Sequence, residues 1–209
     1  NSLKSINKVS IFLKRFKFKN FLQVIYCPPN TLIHPLSKLL KSRHIKLGAQ
    51  NCHHNHIPGA FTGFVNPLML KSVGAKFVII GHSENRQVGE TNQLINRKIK
   101  TVLKSKLKVI FCIGETLKEK RKKLTKNILA KQLKIGLDNI KNKKDILIAY
   151  EPVWAIGSGL IPKENELIEN IKFIKNKVRN NKVLYGGSVN SKNINDLKNI
   201  DVIDGFLIG

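Results

Sequence analysis

Residues 146–159 read ILIAYEPVWAIGSG, and this stretch defines the repeating pattern of the chain. A short apolar run without polar alternation is typical of a strand buried on both faces, as in a parallel sheet. A single carboxylate, Glu151, ends the run, and a Pro-Val-Trp and a Gly-Ser-Gly follow it. The stretch therefore predicts a buried strand over Ile146–Glu151 with a polar group at its carboxyl end and a loop directly after it.

The same arrangement recurs along the chain. Further strands are predicted at Leu22–Cys27, Lys46–Gln50, Phe77–Ile80, Lys108–Ile113, Val183–Tyr185 and Phe206–Ile208. Helical periodicity predicts helices at Ser2–Phe16, Asn66–Val73, Asn92–Leu103, from beyond Gly114 through Leu137, Glu164–Val178 and Asn193–Leu197. Strands that alternate with helices predict a parallel sheet covered by helices, and no linker divides residues 1–209. At this level a barrel and a doubly wound sheet remain equally possible.

The composition sets limits on function. The 209 residues include 38 Lys and Arg against 13 Asp and Glu, a net charge of +25. With 42% hydrophobic residues the chain can bury a core, and its apolar runs are too short to cross a bilayer. Cys27, Cys52 and Cys112 lie far apart, which argues against a disulfide framework and agrees with a reducing cytosol.

The positive charge favours no specific nucleic-acid partner. Of the 38 basic residues 32 are Lys and only six are Arg, the residue that forks onto phosphates and stacks on bases. The densest run, residues 118–123, contains no aromatic residue and is better explained as a solvated helix face. We expect weak, salt-sensitive adhesion to polyanions from the charge alone.

Three segments that follow predicted strands carry polar residues. In the first, GHSEN over 81–85, His82 comes where a short helix could begin. The positive end of that helix would favour neutral imidazole as a hydrogen-bond donor, although a structural capping role is equally possible.

In the second segment, apolar neighbours around Glu151 would raise the pKa of its carboxyl group toward that of a useful base. The loop over 152–159 has the stiff tip and mobile ends of a lid, whereas a salt bridge between Glu151 and a lysine is the structural alternative.

The third segment is YGGS over 185–188, together with the terminal GFLIG over 205–209. Consecutive glycines expose backbone N–H groups that can cradle a phosphate, and Ser188 adds a hydroxyl. A turn without a ligand is the alternative.

Taken together, these segments resemble one family closely, the triose-phosphate isomerases. The motifs GHSE, AYEPVWAIGSG and YGGSV occur in the family's order and spacing, and QNC at 50–52, GAFTG at 59–63 and CIGE at 112–115 extend the match. The resemblance implies an α/β fold, the (β/α)8 barrel. Against that fold the chain lacks the first strand, with its Asn-x-Lys element, and the last helix, so we expect residues 1–209 alone to be inactive and poorly folded.

The resemblance also implies a reaction and roles for named residues. The reaction is the interconversion of dihydroxyacetone phosphate and D-glyceraldehyde 3-phosphate, without a metal or an organic cofactor. Glu151 would be the base, and a neutral His82 would polarise the carbonyl. Gly157, Ser188 and Gly209 would bind the phosphate, and Glu84 and Cys112 would support the catalytic pair. The alternative is an inactive or basic polyanion-binding remnant of the same fold.

The resemblance further implies a cytoplasmic homodimer that associates through the loop from Gln50 to Gly63. Asn85 replaces an arginine that is usual in the family, and the turn from Gln87 to Gly89 is one residue short, which leaves the strength of the dimer open. Residues 52–56 read CHHNH, but ligands crowded into five residues rarely form a closed metal site. We therefore expect this cluster to be structural.

Overall fold

The structure is a computed structural model that describes residues 2–17, 19, 21–40, 42 and 44–209. Its helices are α1 Leu3–Arg15, α2 Asn30–Leu39, α3 Pro67–Ser72, α4 Ser83–Gln87, α5 Asn92–Lys104, α6 Leu117–Arg121, α7 Thr125–Gly136, α8 Glu164–Val178 and α9 Ile194–Leu197. Its strands are β1 Val24–Tyr26, β2 Ile45–Ala49, β3 Phe77–Ile80, β4 Lys108–Ile113, β5 Ile146–Tyr150, β6 Val183–Tyr185 and β7 Gly205–Phe206. A single 3₁₀ turn, Val153–Ala155, follows β5.

The seven predicted strands all occur in the described part of the chain. The bounds of β3, β4 and β6 agree with the prediction, whereas β7 ends two residues earlier than expected. The strands β3, β4 and β6 could be located because they are apolar except for Lys108 at the start of β4, and because a glycine follows each of them.

The structure adds one helix and divides another. The helix α2, for which no element was predicted, buries Leu32, Ile33 and Leu36 although Pro35 lies inside it. The single long basic helix after Gly114 is two helices. A capping box between Thr116 and Glu119 starts α6, and the left-handed backbone of Lys123 (φ 57°) separates it from α7.

Contacts divide the chain into two compact units, residues 1–80 with 100–109 and residues 81–99 with 110–209. In the first unit β1, β2, β3 and the start of β4 are neighbours in sequence order, and Tyr26 pairs with Leu47 in parallel register. In the second unit the order is the end of β4, then β5, β6 and β7, and Tyr150 pairs with Tyr185. Parallel pairing brings the carboxyl ends of neighbouring strands to one edge.

Each unit has an apolar core between its strands and helices. In the first unit Leu47 and Val78 are buried, and in the second unit Phe111, Ile148 and Ile171 are buried. Among the described residues no helix is both long enough and apolar enough to span a bilayer.

Candidate active site

The predicted catalytic residues lie in the second unit, each shortly after the carboxyl end of a strand. His82 follows the end of β3 by two residues and stands at the N-cap position of α4, and Glu151 follows β5 directly. The N–H of Glu151 donates to the carbonyl of Ile113 at 2.8 Å, which fixes the carboxylate beside the end of β4.

His82 and Glu151 face each other. The Nε2 atom of His82 lies 3.5 Å from Oε1 of Glu151, longer than a good N–H···O hydrogen bond. The second carboxylate oxygen of Glu151 is buried and accepts no hydrogen bond from the described residues. Because neither group is fully satisfied by the other, both keep polar capacity for a third molecule.

Burial shapes the acidity of Glu151. The residue is 4% exposed, and this burial raises the pKa of its carboxyl group above the ordinary value of 4.5. His82, a hydrogen bond from the Cys112 side chain and the charge of Arg86 oppose that shift, and Glu84 adds to it. A carboxylate with a raised pKa is a stronger base than an exposed one.

The two predicted supporting residues differ in their contacts. Cys112 is buried in β4 and hydrogen-bonds to Glu151. The side chain of Glu84 is 84% exposed, and its Oε2 lies 3.7 Å from Nδ1 of His82. Cys112 therefore touches the predicted base directly, while Glu84 makes only a long, solvent-screened contact with the imidazole.

The loop predicted as a lid is attached to the segment after β6 through Ser188. The Ser188 hydroxyl donates to the carbonyl of Ala155 and accepts from the N–H of Gly159 at 3.1 Å. Ser188 itself has a left-handed backbone with a φ of 48°. The sequence motif identified Ser188, but only the structure connects its hydroxyl to both ends of the lid tip.

The structure corrects the expectation that the consecutive glycines 186 and 187 both expose their N–H groups for a phosphate. The N–H of Gly186 is not exposed for a ligand, since it donates to the carbonyl of Tyr150 at 2.9 Å. A Cβ at Gly186 would lie 2.8 Å from Cγ of Glu151, so a side chain there would collide with the predicted base. The absence of a side chain at Gly186 thus leaves space for Glu151.

Gly157 and Gly209, the other two predicted phosphate ligands, are exposed. Gly157 forms the tip of the lid with a φ of 66°, a left-handed conformation that glycine adopts without strain. Added Cβ atoms at Gly157 and Gly209 would meet nothing within 4 Å, so the space around both backbones is open.

A buried network beside the lid was not predicted. Glu115 follows β4 by two residues and is 0% exposed. It accepts a hydrogen bond from Nε1 of Trp154 at 2.9 Å and lies 3.3 Å from the Tyr150 hydroxyl, which in turn accepts from Asn170. The ammonium of Lys120 lies 3.7 Å from the centre of the Trp154 ring. This network fixes the start of the loop predicted as a lid. The sequence signal that could have revealed it is Glu115 itself, a carboxylate shortly after a strand, as Glu151 is.

The network predicts an unusual dependence of stability on pH. Burial raises the pKa of Glu115 above 4.5, although hydrogen bonds from Trp154 and Tyr150 partly offset it. The folded protein therefore binds this proton more tightly than the unfolded chain, and the free energy of unfolding falls as pH rises from the unfolded pKa through the folded one.

We expect Glu115→Gln to remove that loss, because glutamine has no proton to release and can still accept from Trp154. Urea unfolding at about pH 5 and about pH 8 measures the free energy of unfolding of parent and variant. The variant should gain stability relative to the parent at the higher pH. Glu169→Gln, an exposed carboxylate in α8, is the control. Equal differences at both pH values would contradict the prediction.

The cluster at residues 52–56 is used in packing. The ring of His53 lies 4.3 Å from His54 and 4.6 Å from Phe64, and Nδ1 of His56 lies 3.0 Å from Oγ of Ser105. Among the described residues no group of three or more His, Cys, Asp or Glu side chains could hold a metal ion.

Comparisons with known proteins agree with the geometry. A family model described as triosephosphate isomerase matches residues 2–209. A triosephosphate isomerase of Aquifex aeolicus is 37% identical over 96% of this chain and 85% of its own length. That of Dictyoglomus turgidum is 40% identical over 99% and 89%, and that of Carboxydothermus hydrogenoformans is 42% identical over 89% and 78%.

Proposed function

Because the chain belongs to the triosephosphate isomerase family, we propose that Glu151 and His82 together carry its reaction. The fold is that of the family, and the function is triose-phosphate isomerisation, an aldose–ketose interconversion that belongs to glycolysis. The observation that supports this assignment of roles is the buried carboxylate of Glu151 facing Nε2 of His82 at 3.5 Å.

Glu151 acts as the base. Its carboxylate removes a proton from the carbon next to the substrate carbonyl, and the electron pair of that C–H bond forms the double bond of an enediolate. His82 transfers a proton from the hydroxyl oxygen to the former carbonyl oxygen. The protonated carboxyl of Glu151 returns a proton to the former carbonyl carbon, and the new carbonyl forms on the other carbon, which exchanges ketose for aldose without net oxidation. The raised pKa of the buried Glu151 carboxyl suits both transfers.

His82 stabilises the oxygen on which charge develops. An imidazole with a proton on Nε2 donates to that oxygen and strengthens its hydrogen bond as the enediolate forms. The contact with Glu151 is too long to hold that proton, so Nε2 keeps the capacity to turn to a substrate oxygen.

The phosphate binds to backbone N–H groups of Gly157, Ser188 and Gly209. The Ser188 hydroxyl is engaged by Ala155 and Gly159, so we assign the contact of Ser188 to its N–H group. Backbone donors of this kind bind anions without carrying a charge of their own. Closure of the lid over the phosphate excludes water and strengthens the electrostatic interactions at Glu151.

The activity test is a coupled assay on the full-length protein. D-glyceraldehyde 3-phosphate is supplied, and the dihydroxyacetone phosphate formed is reduced by an NADH-dependent dehydrogenase, so that the loss of NADH reports turnover. Measurable isomerisation is the expected result. A folded protein without turnover would favour the alternative of an inactive, polyanion-binding remnant.

We propose that the protein acts as a cytoplasmic homodimer and that residues 1–209 belong to one barrel domain. The loop from Gln50 to Gly63 supports the dimer, because Ile57 is 64% exposed and Phe61 is 41% exposed on a segment without helix or strand. Exposed apolar loops of this kind mark protein interfaces. No disulfide joins Cys27, Cys52 or Cys112, which supports a reducing compartment.

We expect Ile57→Asp to weaken the dimer by about 30-fold or more, because a buried unpaired carboxylate would replace an apolar contact at its centre. Dilution followed by light scattering gives the dissociation constant. Leu3→Asp is the matched control, since Leu3 is 63% exposed but lies on α1. Equal dissociation constants for parent and Ile57→Asp would remove this loop from the interface.

A further inference from the structure

Arg86, near the end of α4, ties together the ends of two strands. Its Nε atom donates to the carbonyl of Gly81 at 2.7 Å, and Nη2 donates to the carbonyl of Cys112 at 3.0 Å. Its Nη1 atom donates to Oδ1 of Asn92 at 2.7 Å, the first residue of α5. One guanidinium thus joins the residue after β3, the penultimate residue of β4 and the start of α5.

Both carbonyls that Arg86 holds belong to residues beside the catalytic pair. Gly81 precedes His82 in the chain, so the position of its peptide group determines where the His82 side chain begins. Cys112 hydrogen-bonds to Glu151 through its side chain, and the next residue, Ile113, accepts from the Glu151 N–H at 2.8 Å. A shift of either carbonyl would therefore change the separation of the imidazole from the carboxylate.

The surroundings of Arg86 are built for a guanidinium. A Cβ at Gly81 would lie 3.1 Å from Nη2 of Arg86, and the φ of Gly81 is 78°, so the position favours glycine on both grounds. Three acceptors in three directions match the planar fork of arginine, which lysine cannot reproduce with a single nitrogen.

Arg86 also acts on Glu151 through its charge. Burial lowers the pKa of the guanidinium, and Cys112, Glu90 and Glu151 oppose that shift. In return the positive charge of Arg86 lowers the pKa of Glu151, against the larger effect of burial. The groups that act on Glu151 are thus His82, Cys112 and Arg86, which lower its pKa, and Glu84, which raises it.

We propose that Arg86 is a positioning residue for the isomerisation, which sets the geometry of the His82–Glu151 pair. This role rests on the function proposed for that pair. It goes beyond packing because one side chain holds both the carbonyl of Gly81, which precedes His82, and the carbonyl of Cys112, whose side chain hydrogen-bonds to Glu151.

Arg86→Gln in the full-length protein tests the proposal, because it removes the charge and two of the three donors. We expect kcat to fall by about 10- to 100-fold, KM to change by less than about threefold, and the acid limb of the pH profile of kcat/KM to move to higher pH. The limb moves up because Glu151 loses a cation that favours its ionised form.

Arg86→Lys keeps the charge, so we expect an acid limb near that of the parent and a kcat between those of parent and Arg86→Gln. Arg121→Gln, an exposed arginine in the last turn of α6, is the control and should match the parent. If Arg86→Gln does not melt cooperatively, the proposal is tested by comparing the kcat of Arg86→Lys with that of the parent.

A folded Arg86→Gln variant would overturn the proposal if its kcat lay within about threefold of the parent or if its acid limb did not move. If that variant is unfolded, a parental kcat in Arg86→Lys would overturn the proposal. A parent without isomerase activity would instead contradict the proposed function, so the two failures are distinguishable.

Discussion

Glu151→Gln is expected to lower kcat by about 10²–10⁴-fold or more in the full-length protein, because glutamine has nearly the same shape but cannot accept a proton from carbon. The amide still fits beside His82 and below Gly186, where a Cβ would lie 2.8 Å from Cγ of residue 151. KM for the triose phosphate and the affinity for inorganic phosphate should stay within about threefold of the parent, since phosphate binding is assigned to other residues.

The measurement combines the coupled assay with calorimetric titration of phosphate. Glu169→Gln is the matched control, because Glu169 is a surface carboxylate on α8 that pairs with Lys126 at 3.3 Å. Turnover of Glu151→Gln within about threefold of the parent would remove Glu151 from the role of base.

The role proposed for Glu151 also predicts the pH profile of the parent. Since burial raises the pKa of Glu151 above 4.5, the acid limb of kcat/KM should lie at higher pH than an exposed glutamate would give. In Glu151→Gln this limb should disappear together with most of the activity.

Gly114→Ala should produce the second large effect, on both stability and turnover. A Cβ at Gly114 would lie 1.8 Å from the carbonyl oxygen of Glu151 and 2.6 Å from its carbonyl carbon, so backbone must move. The peptide groups of Gly114 cannot easily yield, since Gln132 donates to its carbonyl at 3.0 Å and accepts from its N–H at 2.9 Å. Neighbouring hydrogen bonds also hold Glu151 to Ile113 and Val153 to Glu115.

We expect Gly114→Ala to lower the free energy of unfolding by about 3 kcal/mol, at the upper end of ordinary overpacking. Any folded fraction should have a kcat about 10²-fold below the parent, because the base is displaced by around 1 Å. Urea unfolding and active-site-normalised turnover measure the two effects.

Gly205→Ala is the control for this change. An added Cβ at Gly205 would meet only the end of the Leu184 side chain, at 3.0 Å, and a flexible side chain can move. A Gly114→Ala variant that matched Gly205→Ala in stability and turnover would show that the ends of β4 and β5 separate freely.

Much of the fold followed from the sequence because its strands are continuous apolar runs. Phe77–Ile80 and Lys108–Ile113 could be delimited by composition and by the residues that follow them. The helix α2 was not predicted; it holds Pro35 in its interior, where proline normally disrupts a helix, and Pro29 at its N-cap. The break between α6 and α7 depends on a left-handed lysine, which periodicity does not reveal.

The site was predicted unevenly for a physical reason. His82, Glu151 and Ser188 belong to short contiguous motifs, so the sequence alone placed them at strand ends and indicated which chemistry they could carry. Arg86 and Glu115 act on residues 26 and 39 positions away, Cys112 and Trp154, and such partners are chosen by how strands and helices pack. The sequence by itself thus determined the family, the positions of the strands along the chain and the residues offered for catalysis. Tertiary structure alone decided which backbone groups were already used, as at Gly186, and which buried charges hold the catalytic pair, because hydrogen-bond partners and burial depend on distances across strands that no local pattern encodes.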